Sequence, residues 1–185
     1  MSFAGDYKSK LFRALDSVDL EQVDRLIDVF RKAREEERQI FVCGNGGSAA
    51  TANHFACDIV KGASYGKDRR FRIMALSEQV PTMTAYANDV GYDVVFAEQL
   101  ENFAREGDVL MILSGSGNSP NVLRALESAN SRGCYTIALT GRGGGKAGPL
   151  ADLNIEVADD HMGRVEDAHM VITHMVGYAF MDTEG

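Results

Sequence analysis

The chain has 185 residues, 45% of them hydrophobic and 25% charged, enough for one compact domain with a full core and unlike a disordered or fibrous chain. Its 19 Lys and Arg against 27 Asp and Glu give a net charge of −8, which argues against direct nucleic-acid or membrane-surface binding. No window approaches about 18 uninterrupted apolar residues, the start carries no apolar signal core, and three isolated cysteines form no CxxC pair, so a cytoplasmic protein without disulfides or membrane spans is expected.

Residues 5–37 place Leu11, Leu15, Val18, Leu20, Val23, Leu26, Ile27 and Phe30 three and four apart with no proline, predicting two helices. Ahead of any strand they have no sheet to cover, so their apolar stripe is expected to meet another subunit, with Leu26 and Phe30 at the contact. From Gln39 short apolar runs alternate with Gly/Ser turns and amphipathic stretches. That rhythm predicts strands over 40–43, 71–76, 109–113, 135–139 and 153–157, with helices over 49–62, 80–87, 93–104, 120–132 and 164–181. Runs such as Val-Leu-Met-Ile-Leu at 109–113, apolar at consecutive positions, suit parallel strands buried on both faces. The expectation is a single α/β domain over 1–185 with a helical extension at 1–37, and a loop at 141–148 glycine-rich enough to move.

Two strand-to-helix turns carry ligand-binding signals. The first is Cys43-Gly44-Asn45-Gly46-Gly47-Ser48 and the second Ser114-Gly115-Ser116-Gly117-Asn118-Ser119-Pro120. Glycines there let amide groups approach a ligand, and the helix that follows adds unsatisfied N–H groups and its positive dipole end. Ser119 before Pro120 reads as an N-cap, leaving Ser114 and Ser116 in the mouth of an anion site. One such turn would be ordinary, whereas two at strand ends of a parallel sheet make a phosphate cradle that needs no lysine. The fingerprint Gly44-x-Gly46-x-x-Ala49 wants an acidic residue about twenty positions on, at the end of the second strand, but Glu78 there lies 29 after Ala49, so a dinucleotide site is disfavoured. The run Gly141-Arg-Gly-Gly-Gly-Lys146 imitates a nucleotide-binding P-loop but is one residue short and followed by Ala147.

His54 and Asp58, four apart on one helix, share a face. On the last helix Glu166, His169 and His174 fall at about 0°, 300° and 80° around the axis, with Asp167 nearly in line with His174. Two His and two carboxylates on two helices could hold a divalent metal such as zinc, or move protons as base and acid. A lone histidine is more often a satisfied core or surface residue, and His161 in the preceding loop reads that way.

Together, Gly44-Asn-Gly-Gly-Ser48 with His54, Ala87-Asn-Asp89, Ser114-Gly-Ser-Gly-Asn-Ser119, Ala138-Leu-Thr-Gly141, Ala151-Asp-Leu-Asn154 and Glu166-Asp-Ala-His169 with His174 resemble the sugar isomerase (SIS) fold, and more narrowly the bacterial phosphoheptose isomerases. The resemblance covers nearly the whole chain. It implies a three-layer sandwich around a parallel five-stranded sheet, a homotetramer with interfacial active sites, and interconversion of sedoheptulose 7-phosphate and D-glycero-D-manno-heptose 7-phosphate through an enediol. It also implies that Asn45, Gly46, Gly47, Ser48, Ser114, Gly115, Ser116, Ser119, Glu78 and Asn88 meet the sugar phosphate. His54, Asp58, Glu166 and His174 would be zinc ligands, with Asp58 and His174 catalytic and Asp58 and Glu166 also touching substrate. Asp58 stands where the family usually has Glu, Glu166 where it has Gln, and Gly163 where an acidic residue is common. The stretch 76–80 is one residue longer than usual, leaving Glu78 and Gln79 as rivals for the sugar. The alternatives are an isomerase of another ketose phosphate, or a non-catalytic SIS protein that binds a protein partner such as a replication initiator.

Overall fold

The computed structural model describes residues 2–183. Helix α1 (Phe3–Asp16) and helix α2 (Leu20–Glu35) come first, each started by a side-chain cap. Ser2 Oγ accepts the Gly5 amide at 3.2 Å, and Asp19 accepts that of Glu21 at 2.9 Å. There follow β1 (Gln39–Gly44), α3 (Gly47–Cys57), β2 (Arg72–Ala75), α4 (Val80–Asp89), α5 (Ala97–Phe103), β3 (Val109–Ser114), α6 (Pro120–Ser131), β4 (Tyr135–Thr140), β5 (Leu153–Glu156) and α7 (Met162–Asp182). The strands match the expected ranges to within one residue at each end. Two helices differ. The stretch expected as one helix over 49–62 is α-helical to Cys57 and then widens into a π turn, Asp58–Gly62, where the Ala63 amide reaches back to the Asp58 carbonyl at 3.0 Å. The stretch 93–104 starts late, as α5, after a short 3-10 turn at Tyr92–Val94.

The strands form one parallel sheet in the order β2-β1-β3-β4-β5. Side-chain alternation builds a core on each face. Ile40, Val42, Met111, Leu113 and Leu139 pack with α2, α3 and α7, while Phe41, Cys43, Leu110, Ile112 and Ala138 pack with α5 and α6. The architecture is thus the expected three-layer α/β sandwich. The expectation for the N-terminal stripe needs correction. Val23, Leu26, Phe30 and Ala33 of α2 are buried in the chain's own core, with Phe30 against Phe55 and Phe71. The sheet face they cover is completed by β5 and α7, more than a hundred residues away, which local sequence does not reveal. What α1 and the start of α2 leave exposed is Phe3, Phe12 and Leu20.

Because β1 and β3 are neighbours while their crossovers run to opposite faces, the strand order reverses between them. The crevice at that switch point is where parallel sheets bind ligands. The turns after β1 and β3 meet there. Among the described residues no helix is long and apolar enough to cross a membrane.

Candidate active site

The two turns line a cleft of about 250 Å³. Asn45, Gly46, Gly47, Ser48, Ser114, Gly115, Ser116 and Ser119 all face it, joined by Met162 and Glu166 from α7. Gly46, at φ 54°, starts α3 in the left-handed region, and a Cβ on Gly44 would lie 2.7 Å from that of Ser48 and 2.8 Å from the Leu113 carbonyl oxygen. Glycine at these positions lets the helix start sit tight on the strand. Neither α3 nor α6 makes a side-chain bond at its cap position, so the Ser119 hydroxyl at the cleft is not spent on capping its own helix. Ser116 Oγ accepts the Asn118 amide at 3.2 Å, and Ser114 Oγ accepts that of Gly117 at 3.1 Å. Each hydroxyl is thereby oriented with its own proton free to donate to an anion.

Two residues that the sequence did not single out hold the turns together. Asn45 and the buried Asn121 exchange amide hydrogen bonds of 2.9 and 2.8 Å, and the Tyr92 hydroxyl donates to Asn45 Oδ1 at 3.0 Å. The only sequence signal for Asn121 is its place directly after Pro120 in the second turn. Met162 is half exposed and lies over Gly115 at the cleft.

Further along α3 and α7 a second constellation assembles. His54 Nε2 lies 3.0 Å from His174 Nε2, 3.2 Å from Asp58 Oδ2, and His174 Nε2 is 3.8 Å from the same oxygen. Two imidazole lone pairs aimed at one another and at a carboxylate repel unless a proton or a cation lies between them. A tetrahedral zinc, with bonds of about 2.0–2.2 Å, separates its donors by about 3.3–3.5 Å, so this His₂-carboxylate set fits zinc and leaves a position open. Glu166 is not in this group. Its carboxylate lies over Gly47, where a Cβ would come within 2.6 Å of Oε2, at the cradle end of α3. The helical wheel put Glu166 and His174 in one sector, but eight residues separate them by about 12 Å along the axis, and helical side chains lean toward the N-terminus. The expected set of four therefore appears as three.

Contacts at both levels, Glu166 on Gly47 and His174 on His54, show that α3 and α7 run side by side in the same direction. Glu78 ends a 3-10 turn after β2, exposed, as is Gln79. Asn88 is exposed on α4 and donates to Asp89 at 2.7 Å, and neither Glu78 nor Asn88 lines the cleft. His169 is a buried core histidine whose Nε2 pairs with the Thr140 carbonyl at 3.2 Å; among the described residues its Nδ1 has no partner, and burial pushes its pKa down to about 4. His161 caps α7 by accepting the Arg164 amide. Asp167 accepts the Tyr7 hydroxyl of α1 at 2.6 Å, which raises the tyrosine's pKa. Beside them the Arg164 guanidinium grips Asp159 with two 2.7 Å bonds and holds that carboxyl down at about 2. All three cysteines are free thiols, with Cys43 and Cys134 pushed up by burial.

The sequence profile of the SIS domain matches residues 6–141. A phosphoheptose isomerase from a Nitratiruptor species is 43% identical over 146 residues, 78% of this chain and 77% of that protein. Another, from Akkermansia muciniphila, is 41% identical across 89% of this chain and 86% of its own length. Among solved structures, the phosphoheptose isomerase of Neisseria gonorrhoeae superposes with a TM-score of 0.88 at 31% identity, covering 96% of both chains. A switch-point cleft lined by glycine and serine turns, in a chain alike over nearly its full length to these proteins, leaves one assignment: it belongs to the SIS domain family, among the phosphoheptose isomerases.

Proposed function

We propose that this protein is a ketose–aldose phosphate isomerase that converts sedoheptulose 7-phosphate to D-glycero-D-manno-heptose 7-phosphate in heptose biosynthesis. The observation that carries this reading is a spacing. The anion cradle opens at Gly47 and the His/Asp cluster begins at His54, seven residues or about 10 Å further along α3. An open-chain heptulose phosphate fills that interval with its phosphate in the cradle and C1 and C2 at the cluster, whereas a triose phosphate is too short.

Ser114, Ser116 and Ser119, with the first-turn amides of α3 and α6, hold the phosphate dianion. Both imidazoles face Asp58 Oδ2, which leaves Oδ1 to take the proton from C1. The C1–H electron pair forms the C1–C2 double bond, the carbonyl electrons move to O2, and the same carboxyl returns the proton to C2 to give the aldose. His174 moves the proton between O1 and O2. Glu166, at the cradle end, accepts a hydrogen bond from a sugar hydroxyl, and Asn88 with Glu78 or Gln79 is assigned to the sugar's remaining hydroxyls. A zinc ion held by His54, Asp58 and His174 would polarise the carbonyl and stabilise the enediolate charge.

We place the working protein in the cytoplasm as a homotetramer. Support comes from the exposed Phe3, Phe12 and Leu20 and from the open side of the cluster, where His54 is 48% exposed. Asp58 is one methylene shorter than glutamate, which favours as a second reading the same reaction on a different ketose phosphate. NMR of the protein with a panel of ketose phosphates, with and without a chelator, separates the cases. Aldose formation from sedoheptulose 7-phosphate supports the first reading, and turnover of another member alone supports the second. No conversion of any member with zinc present overturns both.

A further inference from the structure

The glycine-rich run at 141–148 plays no part in the chemistry above, yet it lies against the back of the second cradle turn. The Gly141 amide donates to the Gly115 carbonyl at 3.1 Å, the Ala147 amide to the Gly117 carbonyl at 2.9 Å, and the Lys146 amide to Asn118 Oδ1 at 3.2 Å. In a trans peptide the C=O and N–H point opposite ways. Holding the Gly115 and Gly117 carbonyls from behind therefore turns the amides of Ser116 and Asn118 forward. The Asn118 amide then orients the Ser116 hydroxyl, at 3.2 Å.

The approach is backbone to backbone, and glycine is required on both sides of it. A Cβ on Gly145 would overlap the Ser116 carbonyl and come within 2.7 Å of that of Gly117, while a Cβ on Gly117 would overlap the Gly144 carbonyl. Gly143, Gly144 and Gly145 are consecutive left-handed residues at φ 78°, 68° and 55°, so the segment coils tightly enough to present its amides to one neighbour. Its rear is anchored on β5, where Glu156 accepts the Gly143 amide at 2.8 Å and Asn154 packs within 3.3 Å of the Cβ positions of Gly144 and Gly148.

We propose that residues 141–148 are a positioning loop for the phosphate cradle, which fixes the orientation of the Ser116 and Asn118 amides from behind and so sets affinity for the phosphate group without touching the reacting carbons. The proposal rests on the cradle assignment made above. Two glycines allow a matched test. Gly145→Ala and Gly143→Ala impose the same left-handed strain, but the Cβ at 143 meets nothing within 4 Å, while the one at 145 strikes the cradle.

Binding of inorganic phosphate by calorimetry is measured for both variants and wild type, together with KM and kcat for the sugar phosphate. Gly145→Ala is expected to weaken phosphate about tenfold and to raise KM in step with little change in kcat, with Gly143→Ala close to wild type. Asn118→Ala, which removes both the acceptor of the Lys146 amide and the 2.7 Å bond from Asn118 Nδ2 to the Ser116 carbonyl without any overlap, is expected to weaken phosphate in the same direction and serves if Gly145→Ala does not fold. Equal phosphate affinity in wild type, Gly145→Ala and Asn118→Ala overturns the loop's role and leaves the cradle standing, as does an equal loss in Gly143→Ala and Gly145→Ala. Wild-type protein that binds no phosphate overturns the cradle, and the loop's role with it.

Discussion

At the scale of single residues, the cradle and the core make separable claims. In the proposed cradle Ser116 would donate to the phosphate a charge-assisted hydrogen bond of about 1.5–3 kcal/mol, so Ser116→Ala should weaken inorganic phosphate as a competitive inhibitor by roughly 10- to 100-fold. An unchanged inhibition constant would remove Ser116 from the cradle. His169 is a different case, because its role is structural. Its pKa is depressed from 6.5 to about 4 by burial, so the unfolded chain takes up its proton first as pH falls. The neutral ring's stabilisation is complete above about pH 6.5 and is lost as pH falls toward 4, by about 3 kcal/mol in all. Denaturant titrations of wild type between pH 7 and 4 should show that loss, and His169→Phe should flatten it. A slope unaltered in the variant would show that other groups cause it. The bland reading of a lone histidine thus applies to His169 and His161, and the paired reading to His54 and His174. No residue count separates them; the distinction is whether the ring meets another chemical group across a helix pair.

At the scale of elements, the strands were legible because buried parallel strands are apolar at consecutive positions, as in Val109 to Leu113. The π turn after Cys57 was not, since widening by one residue leaves no mark on composition. It begins at Asp58, the residue that faces both imidazoles. The wheel that grouped Glu166 with His174 was right about angle and silent about axial rise, which is why one carboxylate serves the cradle and the other residue the cluster. Helix α7 carries both, so its placement matters, and α1 ties down its first turns through Tyr7 and Asp167. At this partly exposed site the bond is worth about 1 kcal/mol, and Tyr7→Phe should lower the melting temperature by about 2–4 °C. A melting point identical to wild type would mean that α1 contributes only apolar packing.

At the scale of the whole molecule, the α/β class and the buried parallel strands follow from patterns visible in one chain, but the strand order with its switch point and the destination of an apolar stripe do not. Leu26 and Phe30 are fully buried within the subunit, so Phe30→Ala should cost about 3–5 kcal/mol of stability rather than dissociate an assembly. Replacing the exposed Phe3 and Phe12 by serine should instead lower the mass seen by light scattering while leaving the fold intact. Unchanged mass in that double variant would move the contact to another face. The proposed site divides its labour, with anion binding at the turns and proton transfer at Asp58, in the cluster that begins at His54 about 10 Å along α3 from Gly47. The most direct test compares Asp58→Asn with wild type in two measurements on the same sample, deuterium exchange at C1 of sedoheptulose 7-phosphate in D₂O and binding of inorganic phosphate. The predicted result is exchange reduced by about 10²- to 10⁴-fold with phosphate affinity near wild type. Wild-type exchange in Asp58→Asn would contradict the account, because the base would then lie elsewhere.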